Sequence, residues 1–146
     1  MDPLEIAADI CKTFEGFRPR PYLCPAGIPT IGFGSTMYPD GRRVTLKDPP
    51  ITIQEAESLL LWELKRSQAA TLRYCPVLRD DPPRQGAIID FTYNLGPGRL
   101  QASTLRRRIN QQDWPEAKRE LMKWVRAGGK ILPGLVRRRT VEASLL

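Results

Sequence analysis

Between Phe17 and Pro50 this chain cannot form a regular helix. Pro19, Pro21, Pro25, Pro29, Pro39, Pro49 and Pro50 recur there, with Gly27, Gly32, Gly34 and Gly41 between them. Each proline removes a backbone donor and fixes its own φ, while each glycine loosens the backbone. Two short β-type runs remain, Pro-Thr-Ile-Gly-Phe-Gly at 29–34 and Arg-Arg-Val-Thr-Leu at 42–46, with a Pro39-Asp40-Gly41 turn between them. The segment predicts a small, irregular antiparallel sheet.

On either side the signals are helical. Asp2 is placed to cap a helix, with Pro3 at its first position and Glu5 three after the cap, as a capping box needs. Ile6, Ile10 and Phe14 form one apolar face with Cys11 beside them, and Gly16 ends the run. Thr52 and Glu55 frame a second cap, followed by Ile53, Ala56, Leu59, Leu60 and Leu64 in a helix reaching to about Tyr74. Asp81-Pro82-Pro83 opens a helix to about Leu95, which Gly96-Pro97-Gly98 stops. Ser103 or Thr104 opens a short basic helix. Asp113 to Glu116 starts one expected to reach Val125 and stop at Gly128-Gly129, and a last helix follows Pro133. Trp62, Trp114 and Trp124 recur within these helices and read as core or interface. One helix, a small sheet and then several helices make an α+β chain with a mainly helical second part.

Charge and composition narrow the chemistry. The net charge of +7 favours an acidic partner: nucleic acid, an anionic membrane surface or an anionic wall polymer. There is no histidine, so Ser-His-Asp and Cys-His catalysis are excluded and a zinc site would lack its usual imidazoles. Acid–base work falls to Asp, Glu, Cys, Tyr or Lys. Cys11, Cys24 and Cys75 are odd in number and far apart, which fits a reducing compartment better than a disulfide framework. The acidic N-terminal stretch does not read as a signal peptide, and no run is long enough to span a membrane.

The stretch Glu-Gly-Phe-Arg-Pro-Arg-Pro-Tyr-Leu-Cys-Pro-Ala-Gly-Ile-Pro-Thr-Ile-Gly-Phe-Gly, residues 15–34, is the candidate site. Glu15 falls in the last turn of the first helix. The negative end of the helix dipole and burial beside Phe14 and Phe17 are expected to favour its protonated form, suited to protonating a glycosidic oxygen. The competing reading is a surface acid paired with Arg18 or Arg20. Cys24 and Thr30 lie on the following extended segments, which can fold back to the same cleft wall.

This stretch resembles the phage-type lysozymes, glycoside hydrolase family 24. Their pattern is Glu, eight residues, Asp or Cys, five residues, Thr, within a Glu-Gly-x-Arg … Pro-Tyr … Thr-Ile-Gly-x-Gly frame. Glu15, Cys24 and Thr30 match it in register. The segments 91–110 (Phe-Thr-Tyr-Asn-Leu-Gly … Ser-Thr-Leu-Arg-Arg-Arg-Ile-Asn) and 119–146 resemble later family segments, though Leu146 replaces a final aromatic.

The resemblance implies a lysozyme-like fold in one domain, 1–146. It has a sheet lobe at about 17–50, a linking helix at about 53–74, and a helical lobe at about 75–146 joined by residues 1–14. It implies hydrolysis of the β-1,4 bond between N-acetylmuramic acid and N-acetylglucosamine in peptidoglycan, for host-cell lysis. Glu15 would be the general acid. Cys24 would stand where most relatives carry Asp, and Thr30 would hold the attacking water. Thr36, Tyr93, Asn94 and Thr104 would line the saccharide groove, and Arg138 would reach back toward Glu15. No metal or other cofactor is implied. The implied setting is a monomer without a nucleic-acid partner or membrane insertion, accumulating in the host cytoplasm before reaching the periplasmic wall.

Cys24 alters the chemistry at its position. A free Asp titrates near ~3.9 and a free Cys near ~8.5, unless amide donors or an arginine such as Arg18 or Arg20 lower it. A thiolate base, a nucleophile forming a thioglycosyl intermediate, a polar spacer and an inert buried thiol all remain open from sequence. Arg138 and Glu142, four apart, are placed to pair along the last helix. Two rivals stand against hydrolysis. A lytic transglycosylase needs one acid and no water-activating partner. A basic nucleic-acid-binding module accounts for the Arg106–Arg108 and Arg137–Arg139 runs but leaves the Glu15–Cys24–Thr30 frame unexplained.

Overall fold

The computed structural model describes residues 1–146. Helix α1 (Pro3–Glu15) leads into strands β1 (Arg18–Leu23) and β2 (Pro29–Gly32). An irregular stretch follows, then the long α2 (Ile53–Tyr74) and a 3-10 turn at Pro76–Leu78. The remainder is α3 (Pro82–Leu95), α4 (Pro97–Gln101), α5 (Thr104–Asn110), α6 (Trp114–Leu121), the β3–β4 hairpin (Arg126–Ala127, Lys130–Ile131) and α7 (Pro133–Ser144). The architecture is α+β, a small sheet followed by a mainly helical part.

The helix starts follow local chemistry. Asp2 accepts from the Leu4 amide, but no reciprocal bond from Glu5 completes a box. Thr52 and Glu55 do form the full capping box. Asp81, Ser103 and Asp113 cap α3, α5 and α6 by accepting from the amides of Arg84, Arg106 and Glu116.

The sheet departs from the sequence expectation. The partner of β2 is Arg-Pro-Arg-Pro-Tyr-Leu, not the 42–46 run, which contributes only an isolated Met37–Arg43 bridge. Arg18 pairs with Gly32, Tyr22 with Thr30 and Leu23 with Pro29, antiparallel, with an irregularity between Arg18 and Tyr22. That irregularity spans Pro19 and Pro21, which have no backbone donor to offer β2. There the Pro19 carbonyl accepts from the Ile51 amide instead.

Two other boundaries shift. Gly96 ends α3 as expected, but Pro97 at once starts α4. Helix α6 stops at Leu121, so Trp124 lies outside it, and Gly128-Gly129 turns a β-hairpin rather than ending a helix.

Helix α3 is the axis of the molecule. Every residue from Gln85 to Thr92 is buried, the mark of a helix surrounded on all sides. Ile88 and Phe91 join an apolar cluster with Leu100, Leu105, Ile109 and Leu121, against which Trp114 and Trp124 pack. Ile89 joins a second cluster with Ala7, Cys11, Phe33, Leu60 and Leu64. Ile31, Val44 and Leu59 form a small third one under the sheet. Each fully buried Ile, Leu or Phe contributes roughly 1.5–3 kcal/mol of transfer free energy.

Close approach of α1 to α3 is set at Gly86. A Cβ there would lie 2.6 Å from Ile6 Cγ2 and 3.1 Å from the Pro3 carbonyl oxygen. Only glycine lets α1, which ends in Glu15, lie directly on the helix that carries Asp90, Tyr93 and Asn94.

Candidate active site

Glu15 is the last residue of α1, and Gly16 closes the helix by donating its amide to the Lys12 carbonyl at 3.1 Å. The Glu15 side chain is one-quarter exposed. Its Oε1 accepts from Arg138 Nη1 at 2.7 Å. Arg138, on α7, is held from behind by Asp90 of α3: Nε donates to Oδ2 at 2.8 Å and Nη2 to Oδ1 at 2.7 Å. Arg138 and Asp90 are buried. Burial works against the guanidinium charge, but the bidentate bonds to Asp90 and its field more than offset that and push the Arg138 pKa up.

Around this pair sits a second buried one. Arg139 donates from Nη2 to Glu142 Oε2 at 3.0 Å and to Asn94 Oδ1 at 2.7 Å. Its Nε lies 2.8 Å from Glu142 Oε1 without an aligned hydrogen bond. Glu142 therefore pairs with Arg139 three residues before it, not with Arg138 as its spacing suggested. Burial first, then its hydrogen bond to Asp90, push the Glu142 carboxyl well up.

The other two predicted catalytic residues, Cys24 and Thr30, lie on the β1–β2 hairpin, and neither lines the groove that holds Glu15. Cys24 opens the hairpin loop: its amide donates to the Ile28 carbonyl at 3.0 Å, and its own carbonyl accepts from Gly27 at 2.8 Å. The Cys24 thiol is held below its ordinary pKa, chiefly by the backbone amide of Ile28, with Ala26 and the Thr30 hydroxyl adding to it. Amide donors, rather than Arg18 or Arg20, lead this effect. Arg18 instead stacks over Tyr22, 4.3 Å from its ring centre.

Thr30 is buried beneath, and its hydroxyl donates to the Ile28 carbonyl at 2.8 Å. One hydroxyl proton cannot serve Ile28 and the Cys24 sulfur at once, so Thr30 chooses between them. Tyr22, on β1, is acted on by both Glu15 and Cys24. Burial first, then the Glu15 carboxylate, raise its pKa; Arg18 opposes them, and the Cys24 charge adds to the rise.

The floor is the turn from Ile31 to Ser35, closed by reciprocal amide–carbonyl bonds of 2.9 Å each. Gly34 sits there at φ +93°, and a Cβ on it would lie 3.0 Å from Glu15 Oε2 and 3.3 Å from the Tyr93 hydroxyl. Tyr93 donates to the Phe33 carbonyl at 3.1 Å, and burial pushes its phenol well up, keeping it neutral. Glu15, Phe14, Asn94, Leu135, Arg138 and Val141 line an open groove of about 880 Å³. A separate groove of about 630 Å³ between α1 and α2 contains none of the candidate residues.

The chain matches the family model described as phage lysozyme over residues 12–142. The chain belongs to the phage lysozyme family. This phage lysozyme is 37% identical to a SAR-endolysin of Bacteriophage PS34 over 134 residues, 90% of this chain and 75% of that one. It is 32% identical to an endolysin of Acyrthosiphon pisum secondary endosymbiont phage 1, over 93% of this chain and 91% of that one. Among solved structures it superposes on the endolysin from Escherichia coli O157:H7 phage FAHEc1 with a TM-score of 0.87 and 31% identity, covering 99% and 92% of the two chains. It is a glycoside hydrolase of the lysozyme type, an endolysin acting on the bacterial cell wall. No helix in it is long and apolar enough to cross a membrane.

The remaining predicted groove residues of this phage lysozyme are scattered. Tyr93 and Asn94 come to Glu15 as described. Thr36 follows the Ile31–Ser35 turn, half-buried, and its carbonyl accepts from the Val44 amide at 2.9 Å. Thr104 opens α5 and lines a different depression, with Ser103, Arg106 and Asn110. Sequence reasoning missed Asp90, which anchors Arg138. Its signal was an acid inside the apolar run Ala87-Ile88-Ile89-Asp90-Phe91, where an ordinary solvated carboxylate would not sit.

Proposed function

We propose that this phage lysozyme hydrolyses the β-1,4 bond between N-acetylmuramic acid and N-acetylglucosamine with Glu15, Cys24 and Thr30 as its catalytic residues. The observation that carries this reading is that the two groups are held in different ways. Glu15 has one oxygen committed to Arg138, which leaves Oε2 beside the Gly34 turn without a cation. Cys24 is a thiol whose ionised form is favoured by backbone amides.

Glu15 Oε2–H gives its proton to the glycosidic oxygen as the bond to the anomeric carbon breaks. A water held against the Thr30 hydroxyl attacks that carbon, and its proton passes to the Cys24 thiolate. Glu15 then regains a proton from solvent and Cys24 loses one. Tyr93 and Asn94 flank the saccharide beside Glu15, and Thr36 and Thr104 contact it further out. Arg138 positions Glu15 and steadies the carboxylate formed when its proton leaves.

The chain works as one unit, with the sheet lobe at about 17–50 and the helical lobe closing a cleft across α2. The positive surface favours an anionic wall over a neutral polymer. The enzyme acts as a monomer without nucleic acid, gathering in the host cytoplasm before it meets the periplasmic wall.

Digestion of purified peptidoglycan tests the assignment. The expected result is new reducing ends from the parent chain and none from Glu15→Gln. Anhydro-muramic ends would instead establish a lytic transglycosylase. A salt-sensitive shift of DNA mobility, with no wall cleavage, would favour the nucleic-acid module.

A further inference from the structure

A further carboxyl, outside the assigned catalytic set, lies near the floor of the site. Glu63 lies on α2, and together with Arg66, Thr92 and Tyr93 it lines a small pocket of about 280 Å³. Its Oε1 is buried, and so is Ser35 Oγ; neither makes a hydrogen bond, so each is a buried polar atom without a partner. Ser35 is among the groups that act on the Glu63 carboxyl, so the two unpartnered atoms belong to one neighbourhood. Ser35 is the last residue of the five-residue turn whose Gly34 touches Glu15 and whose Phe33 carbonyl takes the Tyr93 proton. One short turn thus makes three contacts: with Glu15 of α1, Tyr93 of α3 and Glu63 of α2.

We propose that Glu63 is a positioning residue, which as a neutral acid donates to Ser35 and so holds the Phe33–Ser35 turn against Glu15. The inference rests on the assignment of Glu15 as the acid. An ionised Glu63 would place an unpaired negative charge under the turn, and burial of such a charge without a cation is unfavourable. The groups that face it are Ser35 from the turn, Arg66 from its own helix, Glu15 from α1 and Tyr93 from α3. Arg66 is exposed and stacks over Trp62, 5.0 Å from its ring centre. Glu15 adds a second negative charge rather than a counter-charge. Burial, the largest effect, lifts the Glu63 carboxyl to about 7, against the smaller opposing pull of Ser35 and Arg66. The neutral form thus gives way to the charged one across neutral pH.

Turnover of purified peptidoglycan between pH 6 and pH 8 tests this, with the parent, Glu63→Gln and Ser35→Ala compared and Glu15→Gln run alongside. Glu63→Gln keeps a donor and cannot ionise. Its kcat relative to the parent is expected to rise about tenfold across that span, because the parent's neutral fraction falls by that factor around a midpoint near 7. Any ionisation of Cys24 is common to both proteins and cancels in the ratio. Ser35→Ala is expected to lower kcat more than it changes KM. A ratio that stays flat from pH 6 to 8 overturns the proposal. Activity retained by Glu15→Gln overturns the acid assignment instead, so the two failures are separable. Carboxyl carbon NMR of the unmutated protein covers the case in which Glu63→Gln does not fold. One glutamate titrating near 7, with the Gly34 amide shifting at the same midpoint, supports the proposal; all glutamates titrating below about 5.5 overturn it.

Discussion

Arg138 and Glu15 lie 123 residues apart in the chain, and their side chains meet at 2.7 Å. The contact closes the molecule: the last helix reaches the end of the first, and the buried Asp90 on α3 fixes the guanidinium between them. The acid is therefore placed by α1, α3 and α7 together, and none of the three could orient it alone.

Removing the guanidinium exposes that dependence. Arg138→Met leaves Asp90 buried without its cation, which costs about 3–5 kcal/mol when one partner of such a pair is lost. Urea denaturation at neutral pH is expected to show a loss of that size, together with loss of wall cleavage. Replacing Asp90 and Arg138 together with apolar residues is expected to recover stability but not activity. A double variant as unstable as the single one would show that the pair contributes net stability.

Packing of α1 on α3 is tested at Gly86. Gly86→Ala drives a methyl into Ile6 and toward the Pro3 carbonyl. An overpacked core contact costs typically ~1–3 kcal/mol. Thermal melting is expected to record that loss, and Ile6→Ala in the same chain is expected to reduce the penalty of the methyl in a double-mutant cycle. A melting temperature equal to the parent's would mean that α1 shifts without cost.

The three cysteines are expected to react in a fixed order. Cys24 is partly exposed and its thiol is held low by amides, whereas burial pushes Cys75 up to about 12 and Cys11 higher still. Brief treatment of the folded protein with iodoacetamide should label Cys24 alone by peptide mass spectrometry and stop wall cleavage. Cys24→Ala is expected to lower kcat by about 10²–10⁴ if the thiolate takes the water proton. Cys24→Asp should extend activity to lower pH, since a carboxylate stays ionised there. Labelling at Cys24 with undiminished cleavage would show the sulfur to be a spacer.

Gly34 is expected to tolerate no side chain. Its positive φ strains any replacement, and an alanine methyl would lie 3.0 Å from the Glu15 carboxylate oxygen. Gly34→Ala should lose about 1–3 kcal/mol in thermal or urea unfolding and lower kcat sharply. A variant with parental kcat would place the working face of Glu15 elsewhere.

Glu63 also makes stability depend on pH. Its carboxyl is raised from an ordinary 4.5 to about 7 by burial. Between these values the unfolded chain has released the proton and the folded chain has kept it, so stability falls as pH rises through that window. The contribution is fully present below about pH 4.5 and lost above about pH 7, and the two limits imply a change on the order of 3 kcal/mol. Urea melts of parent and Glu63→Gln are expected to diverge across this range. Parallel curves would show that water or a rotated Arg66 already solvates the carboxyl.

Much of this protein is legible in its sequence because much of it is local. The caps at Thr52, Asp81, Ser103 and Asp113 act on amides three residues away, and an apolar spacing near 3.6 residues selects the face each helix buries. Proline and glycine between residues 17 and 50 exclude a helix for reasons internal to each residue. The Glu15–Cys24–Thr30 spacing is likewise a property of one short segment.

What the tertiary structure decided lies in contacts with no local signature. Arg-Pro-Arg-Pro-Tyr-Leu became a strand because Thr30 and Gly32 offered it a partner and its prolines fall in the irregular stretch between the paired residues. Glu142 chose Arg139 over Arg138 because Asp90 and Glu15, distant in sequence, had already engaged the latter. Ser35, Glu63 and Gly34 acquired their environments only when α1, α2 and α3 closed on one turn. A side chain's partners and proton affinity depend on what packing removes from water around it, and that is set by the whole chain folded.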